Sequence, residues 1–165
     1  MTDVYPNRTA FLAMIGWSEG TRTSPSTKRD GYDVIVTGAD GKPEVFTDFS
    51  VHPFAGGRAP KVIRPGLAST ASGRYQLLLR YWLAYSKSLG LKDFSPASQD
   101  AVALQQIRER GALPLIDSGD IELAIQRCSN IWASFPGAGY AQPEHKLDRL
   151  IAAFMAASGR LKGTS

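Results

Sequence analysis

The only imidazole and thiol groups in this sequence are His52, His145 and Cys128. A catalytic zinc takes about three protein ligands and keeps one position open, so a metal site would need all three. They are far apart along the chain, and Cys128 shares the apolar face of a predicted helix with Ile121, Ala124 and Ile125. There it reads as a small buried hydrophobe. The same setting argues against a Cys128–His145 nucleophilic pair, because a reactive thiolate wants electropositive surroundings. His52, just before Pro53, reads as a loop histidine. No phosphate-cradling glycine fingerprint and no GxSxG serine context occurs. No metal or cofactor is expected.

Fifteen carboxylates remain. Asp40 falls in a turn and Asp120 at a helix cap, while Asp100 and Glu144 fall in predicted first helical turns, where negative charge suits the macrodipole. Glu19 stands apart. It closes a helix whose Phe11, Met14 and Ile15 are apolar, beside Trp17, at the end where the dipole disfavours a carboxylate. The dipole and apolar burial both push its pKa up. A carboxylic acid that keeps its proton near neutrality suits cleavage of a glycosidic bond, whose leaving oxygen must be protonated. A frayed, exposed glutamate is the plain alternative.

The elements that must position Glu19 follow from spacing. A helix is expected from Asn7 as N-cap to Ser18, stopped at Gly20. Tyr32–Thr37 and Val45–Thr47, around the turn 38–41, read as a hairpin and the only sheet. Residues 50–68 read as one long loop. Helical spacing then runs from Tyr75 to Gly90, from Ser95-Pro96 to Arg110, and after Asp120, with a glycine-bearing stretch at 130–142 and a last helix opened by Pro143. The fold class is α+β, mainly helical, with a small β-hairpin lobe that leaves room for a cleft beside the helical lobe.

At 165 residues and 43% apolar composition the chain is expected to be one domain, 1–165, with a loose tail over about 156–165. The longest apolar run, the eight residues Leu150 to Ala157, is too short to span a bilayer, so no stable membrane insertion is expected. The opening Met1-Thr2-Asp3-Val4-Tyr5-Pro6 lacks a signal-peptide pattern. The net charge of +4 is scattered rather than clustered, which speaks against nucleic acid as partner. An anionic polymer remains compatible with it.

Several stretches together carry a resemblance. Trp17-Ser18-Glu19-Gly20-Thr21 is followed by Gly31-Tyr32-Asp33-Val34-Ile35-Val36, then by Ser69-Thr70-Ala71-Ser72-Gly73-Arg74-Tyr75-Gln76-Leu77-Leu78. Phe94-Ser95-Pro96, Ser98 to Leu104 and Arg127 to Ser134 continue it. Over about residues 8–155 the chain resembles the lambda-type phage endolysins, which are similar to lytic transglycosylases. The resemblance implies a lysozyme-like fold with a substrate cleft between its lobes. It also implies cleavage of the bond between N-acetylmuramic acid and N-acetylglucosamine in peptidoglycan, leaving a 1,6-anhydro sugar.

Glu19 would then be the single catalytic acid and base. Phage lysozymes that hydrolyse place an Asp nine residues after the Glu and a Thr six further on, where this chain has Lys28 and Val34. Asp30, Asp33 and Asp48 leave a two-carboxylate muramidase open. A zinc amidase and a wall-binding module without catalysis stay open beside it. The resemblance puts Gln76, Ser69 and Tyr75 against the sugars, with Tyr75 equally suited to a core. Tyr140 and Trp132 would stack on sugar rings, although core packing suits Trp132 better. Loops 50–68 and 135–142 would form two lips, the first longer here than in the family pattern. The expected partners are glycan strands and, functionally, a holin-type membrane pore. A monomer is expected, held in the host cytoplasm until release to the cell wall.

Overall fold

A computed structural model of the chain describes residues 5–140 and 143–164. The start of the signal-peptide reading (1–4) and the end of the second lip (141–142) lie outside the described residues. The elements in order are α1 (Pro6–Ser18), β1 (Val34–Ile35), β2 (Glu44–Val45), β3 (Lys61–Arg64), β4 (Leu67–Ser69), α2 (Leu79–Leu89), α3 (Pro96–Glu109), α4 (Leu113–Ser118), α5 (Ile121–Cys128) and α6 (Leu147–Ala156). The class is α+β and mainly helical. The chain divides into two compact units, Met1–Glu19 with Ala103–Ser165, and Gly20–Val102.

In the first unit, α1 packs against α4 and α6, and α5 against α4 and α6. Every residue of α1 from Ala10 to Gly16 is buried, so this is a core helix rather than one with a single apolar face. Pro6 sits at its start, where a preset φ helps and a missing N–H costs nothing. Tyr5, not Asn7, is the N-cap residue. Asn7 instead lies buried in the first turn. Its amide donates to the carbonyls of Ile116 (2.9 Å) and Arg160 (3.0 Å), and its Oδ1 accepts the Arg160 N–H (2.8 Å). Asn7→Ala orphans those groups and is expected to cost about 2–3 kcal/mol in urea unfolding.

These bonds also bear on the C-terminal segment expected to be loose. Residues after α6 are tied to Asn7 through Arg160, and the Lys162 N–H donates to the Gly119 carbonyl at 3.0 Å. Short helix α4 has no counterpart among the elements expected from spacing, although Pro114 near its start and Gly119 (φ 79°) at its end mark it. Helix α6 begins at Leu147 rather than Pro143. The intervening residues are spent on loop contacts described below.

In the second unit, β1 and β2 pair antiparallel with Val34 opposite Val45, a shorter hairpin than the expected one. Within 50–68, read as one loop, and on to Ser69, β3 pairs with β4 around Pro65-Gly66 to form a second hairpin. Its signal was masked because Val62 and Leu67 are both exposed, so no buried face produces an alternation. Helix α2 starts at Leu79, not Tyr75. Ser72 and Leu77 exchange backbone hydrogen bonds (3.1 and 2.9 Å) and close a tight turn over 73–76, with Gly73 (φ 77°) and Gln76 (φ 51°) left-handed. Beyond it, Leu77, Trp82, Phe94 and Val102 form the unit's core, with Phe46, Leu79, Tyr85 and Leu91 against it. Helix α3 opens at Pro96 as its sequence indicated, with Ser95 Oγ accepting the Ser98 N–H (3.3 Å).

Candidate active site

Glu19 leaves the end of α1 as its C-cap, its N–H still bonded to the Ile15 carbonyl (2.8 Å). Gly20 then takes a left-handed φ of 72° and turns the chain away. The side chain therefore emerges from a helix buried on nearly all sides. Its Oε1 accepts the Ser134 hydroxyl at 2.5 Å, and the Ser134 and Ser18 hydroxyls lie 2.6 Å apart. Burial is the larger influence on the carboxyl and pushes its pKa from 4.5 up to about 7, against the opposing pull of the Ser134 bond. No charged group contributes to that shift. At neutral pH Glu19 is thus poised to give up a proton and to take one back.

The raised pKa has a cost in stability. Below about 4.5 folded and unfolded chains both hold the Glu19 proton. Between 4.5 and about 7 the unfolded chain ionises first, so stability falls as pH rises and levels off above 7. Glu19→Gln escapes this penalty. It is expected to be more stable than the parent by up to about 3 kcal/mol at pH values near 8, with little difference near pH 4, in urea titrations at both.

His145 holds both serines by their backbones. Its N–H donates to the Ser134 carbonyl (2.9 Å), and its Nε2–H donates to the Ser18 carbonyl (3.0 Å). Its ring lies 4.7 Å from that of Trp17. From sequence alone His145 is a candidate only as a metal ligand or a base. Nothing local links positions 18, 134 and 145, so periodicity had no way to group them. Glu144 does not serve a helix dipole. Its carboxylate accepts the N–H groups of Gly137 (2.9 Å) and Gly139 (3.1 Å), which hold its pKa low and fasten the second expected lip.

Trp132 is 3% exposed and its ring lies tilted against that of Phe135, centroids 5.5 Å apart, so its aromatic surface is spent on the core rather than on a sugar. Tyr140 is 52% exposed, with its hydroxyl donating to the Asn130 carbonyl (2.7 Å).

In the second unit Tyr75 is 6% exposed, and its hydroxyl donates to Asp100 at 2.5 Å. Of the two sequence readings, core has won over sugar contact. Tyr32 donates to the same oxygen (2.8 Å), and Arg74 reaches the Tyr32 hydroxyl (2.7 Å) and Asp30 (3.3 Å). Burial raises the Asp100 carboxyl and Tyr75 lowers it in return, so Asp100 anchors two tyrosines and is no mere dipole partner. Gln76 is partly exposed on the strained turn, its amide donating to the Gly73 carbonyl (3.1 Å). Ser69 ends β4 with its hydroxyl on the Ala71 N–H (3.1 Å).

The other candidate carboxylates are locally engaged. Asp33 is 2% exposed and accepts the Thr27 hydroxyl (2.5 Å) and Lys28 N–H (2.9 Å). Asp30 pairs with Arg22 (2.9 Å), and Asp48 accepts from Ser50 (2.6 Å). His52 is fully buried, with Nε2–H donating to the Leu77 carbonyl (3.0 Å) and Nδ1 accepting the Phe54 N–H (3.3 Å). Both ring nitrogens are used, and burial lowers the pKa. Cys128 is fully buried and its thiol is pushed up to about 12, consistent with a core residue. Among the described residues no three His, Cys, Asp or Glu side chains are grouped so as to hold a metal ion.

The fold that carries Glu19 is shared with solved structures. The chain superimposes on bacteriophage lambda lysozyme complexed with a chitohexasaccharide at TM-score 0.88, with 59% identity over 98% of this chain and 100% of that one. A second structure of lysozyme from bacteriophage lambda gives 0.83 and 57% over the same shares. The fold is therefore lysozyme-like. The Endolysin family model matches residues 9–161. Endolysins of Escherichia phage lambda and Escherichia phage P2 are each 60% identical, over 98% and 95% of this chain and 98% and 96% of theirs. The chain belongs to the endolysin family, phage enzymes that degrade peptidoglycan in host lysis.

Proposed function

We propose that this endolysin is a lytic transglycosylase that cuts the glycosidic bond between N-acetylmuramic acid and N-acetylglucosamine. The observation that carries the reading is the Glu19 carboxyl: partly buried, bonded by a neutral hydroxyl, and protonated up to about pH 7. Glu19 gives its proton to the leaving glycosidic oxygen as the bond to the anomeric carbon breaks. The C6 hydroxyl of the same muramic residue attacks that carbon, and Glu19 takes the hydroxyl proton. A 1,6-anhydro ring forms and Glu19 ends protonated, with no water consumed. One carboxyl performs both transfers, as the local engagement of Asp30, Asp33 and Asp48 favours.

Sugar binding falls to Tyr140, through its exposed ring, and to Gln76 and Ser69, through polar groups that remain partly accessible. The enzyme acts as a monomer, reaching the wall from the host cytoplasm through a holin-type pore. Among the described residues no helix is long and apolar enough to cross a membrane.

Hydrolysis by a water molecule is the second reading, favoured by the name lysozyme that the solved relatives carry. Digestion of purified peptidoglycan separates the two. Muropeptides lighter by one water, with anhydro ends, are expected, whereas reducing muramic ends would replace the first reading by the second.

A further inference from the structure

We infer that Ser134, held in place by His145 and Ser18, is a positioning residue that keeps the Glu19 carboxyl in one place through both of its protonation states. The inference rests on Glu19 being the acid and base of the reaction.

The two proton transfers ask different things of whatever touches the carboxyl. An ionised Glu19 needs a donor, and a protonated one gains from an acceptor. A lysine or arginine supplies only the first and would fix the charged form; a hydroxyl supplies both by rotating about its C–O bond. Ser134 Oγ is 2.5 Å from Glu19 Oε1 and 2.6 Å from Ser18 Oγ, so a second hydroxyl stands behind the first. With Glu19 ionised, Ser18 donates to Ser134 and Ser134 donates to the carboxylate. With Glu19 protonated, the direction reverses: the carboxyl donates to Ser134, and Ser134 donates to Ser18. No heavy atom moves in either case.

Such a relay works only if both serines are fixed. Their side chains sit 116 residues apart in sequence, and His145 joins their backbones, with its N–H on the Ser134 carbonyl and its ring Nε2–H on the Ser18 carbonyl. Ring contact with Trp17 at 4.7 Å sets the imidazole plane. Burial raises the Glu19 carboxyl and the Ser134 hydroxyl pulls it back down.

The test compares the full-length parent with Ser134→Ala, Ser134→Thr and His145→Gln. Peptidoglycan turnover is followed against pH, and the Glu19 carboxyl is titrated directly by carbon NMR in the absence of substrate. In Ser134→Ala, kcat is expected to fall about 10–100-fold with KM nearly unchanged, and the Glu19 titration to move upward by about half a unit to one unit. Ser134→Thr, which keeps the hydroxyl, restores both. His145→Gln, which keeps an N–H within reach of the Ser18 carbonyl, stays closer to the parent than Ser134→Ala. A Ser134→Ala enzyme with parental kcat overturns the inference, whether or not its Glu19 titration moves. So does a Ser134→Thr enzyme that folds and is as impaired as the alanine variant. The direct titration needs no turnover, so the coupling of Ser134 to Glu19 is read even if Glu19→Gln proves active and the acid assignment itself fails.

Discussion

Glu19→Gln is expected to lower peptidoglycan cleavage about a thousandfold while leaving the chain folded. The amide has the shape of the carboxyl, and its oxygen still accepts the Ser134 hydroxyl that lies 2.5 Å from Oε1 in the parent. It has no proton to give to a leaving oxygen and cannot accept one from an attacking hydroxyl, so both halves of the reaction are lost. Stability moves the other way, because a partly buried carboxyl that would ionise near pH 7 has been replaced by a neutral group. Lost activity combined with gained stability at alkaline pH separates a catalytic role from a structural one, since a structural glutamate would lose both. The parent's pH–rate profile should fall as pH rises through about 7, where the acid form of Glu19 is depleted. Turbidity loss of wall preparations and urea unfolding, run on the same samples, check the pair.

Gly119→Ala is expected to destabilise the protein by about 3–4 kcal/mol. Gly119 ends α4 with φ 79°, a conformation that costs an L-residue roughly 1–2 kcal/mol. A Cβ there would lie 2.5 Å from the Lys162 N, 2.7 Å from the Arg160 O and 2.8 Å from the Leu161 carbonyl carbon. These are backbone atoms and cannot step aside as a side chain tip would. They belong to the segment anchored by Asn7. Relief would require the 160–162 backbone to lift, releasing the Lys162–Gly119 bond and straining the Asn7 contacts. Thermal and urea melts of Gly119→Ala beside Gly20→Ala give the comparison. Gly20 has a similar φ of 72° but open space around its Cβ position, so its loss should be confined to the conformational part.

Glu19 was legible as the candidate acid because its signals are local. Helix spacing over residues 7–18, a stop at Gly20 and a carboxylate at the unfavoured end of the dipole all lie within a short stretch, and the structure keeps each of them. Ser95-Pro96 likewise announced α3 by chemistry that acts within one turn. Misreadings came where a distant contact set the conformation. Asn7 looked like a cap, yet its partners are Ile116 and Arg160. Tyr75 fits the helical spacing of Leu78 and Trp82, but the Gln99 side-chain oxygen Oε1 takes the Arg74 N–H (2.9 Å) and would lie 2.2 Å from any Cβ at Gly73, which holds the chain in a turn. Glu144 was assigned to a helix that starts three residues later, because its bonds to Gly137 and Gly139 compete with helix formation. The Ser18–Ser134–His145 support around Glu19 was invisible for the same reason: its members meet only in the folded chain.

Glu19 is expected to move both protons while the sugar's own hydroxyl, and not water, attacks the anomeric carbon. Digestion of purified peptidoglycan in water enriched with heavy oxygen reads this directly. The predicted result is anhydromuramic ends that carry no label, produced by the parent and absent with Glu19→Gln. Labelled, reducing muramic ends would mean that water attacks, and would contradict it.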